Sequence, residues 1–193
     1  MEYLSPSMLA VLEFASRAHK SQLRKNPAET PYISHPFAVA FILSKAGFRE
    51  PVLIAGVLHD VLEDTAVTAE ELDQIFGNEV LQLVLGVTEN KKLSWAERKR
   101  SYGEHLAHQS AEVAAISAAD LLANRQSILL ELRKGNNPWK NFSQAPQQYV
   151  KDLMEFDRER IAVIASLLPD HPLVDALEEL ENETRELSEN LEW

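Results

Sequence analysis

Apolar residues recur at intervals of three and four along nearly the whole chain, and no stretch sustains period-two alternation. That is helical periodicity, so the predicted fold class is all-α, without internal repeats. Ser5 and Pro6 read as an N-cap followed by proline in the first turn, with Met8, Leu12, Ala15 and Ala18 at helical spacing behind them. A turn-rich loop, "RKNPAETPYISHP", leads into "FAVAFILSKAG", a helix stopped by Gly47. Pro51 opens the next helix.

Thr68 with Glu71, and Ser94 with Glu97, have the spacing of capping boxes; the first of these helices ends at Gly77 and "NEVLQLVLGVTE" follows at once. A long helix is predicted from about Ser110 to Lys134, ended by Gly135, and another from about Pro146 to Leu168. Leu173, Leu177, Leu180 and Leu187 give the tail one further helix.

With 45% hydrophobic residues in 193, the chain can bury a core. It has no cysteine, which excludes disulfides, iron–sulfur clusters and thiolate zinc sites. Neither a signal peptide nor eighteen consecutive apolar residues can be found, so the expected location is cytoplasmic, away from membranes. A formal charge of −11 argues against nucleic-acid partners. The charge is uneven: from Tyr149 onward the net is −9, and the first 148 residues carry only −2. An anionic small substrate is therefore admissible in the body of the protein.

The stretch "LHDVLEDT", Leu58 to Thr65, sets a histidine and three carboxylates beside the apolar run "PVLIAGVL". Placed on one helix, His59 and Glu63 are i and i+4, as are Asp60 and Asp64, so the four share a broad edge. An imidazole with several carboxylates suits a divalent cation, which relieves their repulsion. Nitrogen and oxygen donors without sulfur favour Mn²⁺, Fe²⁺, Zn²⁺, Co²⁺ or Ni²⁺ over Ca²⁺. Adjacent His59 and Asp60 cannot close a site alone. His35 in "YISHP" and Asp120, an acid among alanines and leucines, are the candidates to complete it. Asp120 is also compatible with an ion pair to Arg125. Arg24 and Lys25 suit a helix C-terminal dipole as well as a phosphate, and Tyr149 suits a core as well as a nucleobase.

The order "HKSQLRKN", "YISHP", "LHDVLEDT", "AADLLAN" resembles the hydrolase domain of the RelA/SpoT family, and in length and layout the small alarmone hydrolases of the HD-domain metal-dependent phosphohydrolases. The resemblance covers about residues 8 to 155. It implies one metal ion, usually Mn²⁺, held by His35, His59, Asp60 and Asp120. Glu63 and Asp64 would be the acidic pair that handles the attacking water. Arg24 and Lys25 would meet phosphates, and Asn124 the nucleoside; Tyr149 joins them as a substrate contact. The implied reaction removes the 3′-pyrophosphate of guanosine tetra- or pentaphosphate.

The domain expectation is an HD-type hydrolase over 1–168, with 169–193 an acidic helix appended to it; the partner is a small nucleotide, and the oligomeric state is open. Three positions depart from the family pattern: Ser117 and Leu121 stand where basic residues are common, and Ala123 where His or Tyr is frequent. Lys91, Lys92 or the run "RKR" at 98–100 are the available replacements, although that run reads first as a solvated face. The missing cations keep open an adenosine-type alarmone or the 2′-phosphate of NADPH as substrate. A non-catalytic nucleotide sensor is the rival from another class.

Overall fold

The computed structural model describes residues 4–25, 28–142 and 146–191. Asn26 and Pro27 of the turn-rich loop and the last two residues of the tail lie outside these. The all-α expectation holds: among the described residues there are α-helices, one 3-10 turn and a lone bridge between Leu23 and Pro31, with no strand.

The helices are α1 (Pro6–Ala18), α2 (Ser34–Lys45), α3 (Glu50–Leu58), α4 (Val61–Asp64), α5 (Ala69–Phe76) and α6 (Asn78–Val87). After them come α7 (Trp95–Leu106), α8 (Ala111–Arg133), the 3-10 turn Pro138–Asn141, α9 (Pro146–Leu167) and α10 (Pro172–Glu189). The start signals act as read from the sequence. The Ser5 hydroxyl accepts from Met8 N–H, and Thr68 and Glu71 form a reciprocal capping box. Gly77 lies at φ +84°, a left-handed conformation that lets α5 end and α6 begin on one residue.

Helix α8 is the axis. Fourteen of its 23 residues are buried on all sides, and α2, α3, α6, α9 and α10 pack around it. One large core runs through α1 to α8 and the facing sides of α9 and α10. A smaller cluster of Ile128, Leu132, Trp139, Val150 and Met154 fills the far end of α8 under the 3-10 turn. The acidic tail helix packs on α8 through Leu173, Val174 and Leu177, its charges turned outward except at Glu181. Among the described residues no helix is long and apolar enough to cross a membrane.

Candidate active site and metal centre

A cavity of about 630 Å³ opens beside the middle of α8. All ten candidate residues line it: Arg24, Lys25, Asn124 and Tyr149 together with His35, His59, Asp60, Glu63, Asp64 and Asp120. Eight basic and seven acidic side chains form its wall, so the lining lacks the strong negative bias of the chain as a whole.

One expectation needs correcting. The motif does not lie on a single helix: α3 ends at Leu58 and α4 begins at Val61, with His59 and Asp60 in the break. Neighbours on an unbroken helix point about 100° apart, and the break lets both side chains turn to the same point. The Gly56 carbonyl, which would otherwise serve only the helix, accepts from His59 Nδ1 at 2.8 Å.

That bond places a hydrogen on Nδ1 of His59 and leaves Nε2 as the nitrogen able to offer a lone pair to a cation. Nε2 is buried, lies 2.9 Å from Asp60 Oδ2 and 3.7 Å from Asp120 Oδ1, and is aligned for a hydrogen bond with neither. His35, second residue of α2, brings Nε2 within 3.1 Å of Asp120 Oδ1 and 3.7 Å of Asp60 Oδ2. The two rings are edge to face at 5.1 Å. Ligand atoms of His35, His59 and Asp120 all lie within 4.8 Å of one another. Imidazole nitrogens and carboxylates converging on one point repel one another until a positive charge lies between them, and a cation at their centre supplies it. The residues fit a divalent ion.

The electrostatics agree. Burial lowers the His35 pKa and keeps that ring neutral. Burial also opposes charge on His59, but the Asp60 carboxylate, with Asp120 behind it, carries its pKa up to about 9. Against the same burial, the His59 charge holds Asp60 ionised, and a hydrogen bond from His35 together with the Arg160 charge does so for Asp120. Both carboxylates are thus anionic and demand a positive partner, which a proton on His59 supplies in the absence of an ion. Tyr32 donates to Asp60 Oδ2 at 2.5 Å and Asn124 to Asp120 Oδ1 at 2.7 Å, so both carboxylates are held in orientation.

Glu63 sits beside this group with Oε1 accepting the Glu89 backbone N–H at 2.7 Å. Burial above all, with the Asp60 and Glu89 charges, raises its pKa to about 7 despite that bond and Lys91. Lys91 pairs with Asp64 and lies 3.6 Å from Glu63 Oε2. Buried His19 is joined to Gln22 at 2.6 Å, and the Gln22 amide reaches the Asp64 carbonyl.

Arg24 is half-buried, donates to Asn124 Oδ1 at 2.9 Å and lies over the Tyr32 ring. Lys25 is exposed above the Phe142 ring, and Tyr149 stacks on Phe142 with Trp95 at its other side. The reading of 98–100 as a solvated face is corrected for two of its three residues. Arg98 and Lys99 turn into the cavity wall, both held by Glu89 at 2.7 Å, because the first turns of α7 lean over the site. The Asp120–Arg125 pairing is also set aside: Arg125 binds Asp157 and Glu181.

Sequence reasoning missed Arg160. From α9 it donates to Asp120 Oδ2 at 2.9 Å, to Ser117 Oγ at 2.9 Å and to the Ser117 carbonyl at 2.7 Å. A guanidinium therefore does stand beside Ser117, delivered from the opposite wall. The available signal was its spacing, four residues from Phe156 and four from Ile164, on the apolar stripe of its helix.

The family model for the HD domain matches residues 11–128. The chain is similar to guanosine-3′,5′-bis(diphosphate) 3′-pyrophosphohydrolase MESH1 of Danio rerio, 42% identical over 123 residues, which are 63% of this chain and 68% of that protein. The Homo sapiens MESH1 is likewise 42% identical, over 63% of this chain and 69% of its own. A solved structure of a metazoan ortholog of SpoT, described as hydrolyzing ppGpp and acting in starvation responses, superposes with a TM-score of 0.81 at 32% identity. That match covers 97% of this chain and 99% of the other. The resemblance drawn from the motifs is borne out.

Proposed function

The chain belongs to the HD domain family, and on that footing we propose that it is a metal-dependent hydrolase of guanosine tetra- and pentaphosphate, releasing pyrophosphate and GDP or GTP. The observation that carries this is the convergence of His35, His59, Asp60 and Asp120 beside a partly protonated Glu63 in one cavity. These four would hold one divalent ion, for which Mn²⁺ is the first choice. Such an ion, when bound, polarises a phosphoryl oxygen and makes water more acidic.

The chain's own groups do the rest. The water oxygen bonds to the phosphorus carried on O3′, and the bond from that phosphorus to O3′ breaks. Glu63, its Oε1 fixed by the Glu89 N–H, takes the proton of the attacking water and returns it to the departing ribose oxygen. A pKa near 7 suits both halves of that task. Asp64, held by Lys91 and by Gln22 at its carbonyl, orients the water. Arg24 and Lys25 meet phosphate oxygens at the mouth. Asn124 contacts the ribose side, and Tyr149, backed by Phe142 and Trp95, offers a ring for the base.

The test is direct. Purified protein supplied with Mn²⁺ and guanosine tetraphosphate should release GDP and pyrophosphate above a chelator control, and Asp60→Ala should abolish the release. Absence of turnover overturns the reading. The same assay on an adenosine-type alarmone and on NADPH ranks the alternatives that Ser117 and Leu121 raise, and turnover of any of them dismisses a non-catalytic sensor.

A further inference from the structure

Arg160 lies partly buried in the wall of the cavity, its side chain 12% exposed, and its surroundings account for only part of its hydrogen-bonding capacity. Nε and Nη2 make three bonds, to Ser117 Oγ, the Ser117 carbonyl and Asp120 Oδ2. The Tyr102 ring lies against the guanidinium, 5.1 Å from its centre, and the Tyr102 hydroxyl also donates to Ser117 Oγ, at 2.9 Å. These contacts fix the plane of the group. Nη1 has no hydrogen-bond partner among the described residues, and the side chain forms part of the cavity lining.

The charge balance gives that arrangement a purpose. Among the described residues Asp120 is the only carboxylate bonded to Arg160, and the same Asp120 offers its other oxygen to the two imidazoles. A divalent ion held there draws on the Asp120 charge, which leaves the guanidinium under-neutralised. A fixed positive charge beside a cation cradle lowers cation affinity by simple repulsion. It becomes favourable when a polyanion enters the cavity. Apart from Arg24 and Lys25 at the mouth, the other basic wall residues are less available. Arg98 and Lys99 are held by Glu89, and Lys91 by Asp64.

We propose that Arg160 is a substrate-contacting residue, meeting the oxygens of the scissile pyrophosphate from the α9 wall while Ser117, Asp120 and Tyr102 hold it rigid. It supplies from α9 the cation that Ser117 and Leu121 do not. A fixed fork presents paired donors to a phosphate and needs no reorganisation as charge shifts toward the leaving group.

The proposal rests on the reading of the four ligands as a metal site, and the test separates the two. Mn²⁺ alone is titrated into the full-length wild type, Arg160→Gln, Arg160→Lys and Arg158→Gln, the last an exposed arginine of the same helix. Inorganic pyrophosphate is then titrated into each Mn²⁺-loaded protein, and kcat and KM are measured on guanosine tetraphosphate. Arg160→Gln is expected to bind Mn²⁺ as well as the wild type or better. It should bind pyrophosphate at least ten-fold more weakly and lose about 10²–10³ in kcat/KM, the size of effect seen when one such donor is removed. Arg160→Lys keeps the buried charge, so it folds where the glutamine variant does not; it should fall between, and Arg158→Gln should match the wild type. Unchanged pyrophosphate affinity in Arg160→Lys and Arg160→Gln overturns the proposal. So does a loss of Mn²⁺ affinity that matches the loss of turnover, which would make Arg160 only a positioning residue for Asp120. A wild type that takes up no Mn²⁺ removes the metal reading and this inference with it. Arg160-dependent pyrophosphate binding without guanosine tetraphosphate turnover would fault the assigned nucleotide and leave the inference standing.

Discussion

Glu63 carries the clearest pH signature in the molecule. Its carboxyl is raised from 4.5 to about 7, chiefly by burial. A general base must be anionic, so kcat/KM should climb as pH rises through a limb at about 7, or below it where a bound cation lowers the value further. In Glu63→Gln activity should drop by about 10²–10⁴, and the residual rate should lack that limb. Stability of the metal-free protein runs the other way. Between pH 4.5 and about 7 folded Glu63 keeps a proton that the unfolded chain has released, so stability falls as pH rises across that window. Denaturant unfolding in chelator should show this decline in the wild type and a flatter profile in Glu63→Gln. A limb well above pH 7, or one retained by the variant, would exclude Glu63 as the base. The candidate ligands of this site were legible because each contradicts its local pattern: Asp120 interrupts a run of alanines and leucines, and His59 ends one of valines and leucines. Tyr32 and Gln22 were missed because their role is to hold Asp60 and the Asp64 carbonyl, partners 28 and 42 residues away that no local pattern encodes.

Helix ends and caps were readable for the same reason: they are local chemistry. The break between α3 and α4 was not. Its dihedrals stay near the helical region, with His59 at φ −55°, ψ −32° and Asp60 at φ −98°, ψ −6°, and no proline or glycine marks it. It is imposed by what surrounds it, including the close approach of α2. A Cβ at Gly56 would meet Leu43 Cδ1 at 2.6 Å, and Leu43 is fully buried with nowhere to retreat. Gly56 therefore sets the separation between the helix that carries His35 and the one that leads to His59. Overpacking of this kind costs typically about 1–3 kcal/mol, and the helix propensity gained over glycine, up to about 1 kcal/mol, offsets only part. Gly56→Ala should lower the denaturation midpoint and weaken Mn²⁺ binding together, as α2 is pushed off α3. A variant as stable as the wild type, with full metal affinity, would show that α2 is not seated on that glycine.

The tail helix joins the catalytic body through charge as well as apolar contact. Val150, Met154, Asp157, Ile161 and Ile164 form the buried stripe of α9, and Leu173, Leu177, Glu181, Thr184 and Ser188 that of α10. Each stripe contains one acid, an anomaly visible in the spacing, and both acids close on a single cation. Arg125 of α8, five residues after Asp120, donates from Nε to Glu181 at 2.8 Å and from Nη2 to Asp157, with the Trp139 ring against it. Three helices therefore share one buried arginine. That arginine lies on the same helix as the Asp120 ligand, so an acidic tail that reads as an appendage is tied to the element that positions the site. Assembled as it is, the triad contributes little net stability, because desolvation cancels most of the attraction. Broken on the cationic side it leaves two buried carboxylates without a partner, a loss of about 3–5 kcal/mol. Arg125→Met should show a loss of that size at neutral pH. Burial already raises the Glu181 pKa, and without Arg125 it rises further. Acidification then protonates the orphaned Glu181 in the folded variant first, so the gap to the wild type should narrow as pH falls. Urea unfolding of both proteins at pH 5 and pH 7.5 measures the gap. One that is small at both values, or wider in acid, would mean that α10 is held by its leucines alone.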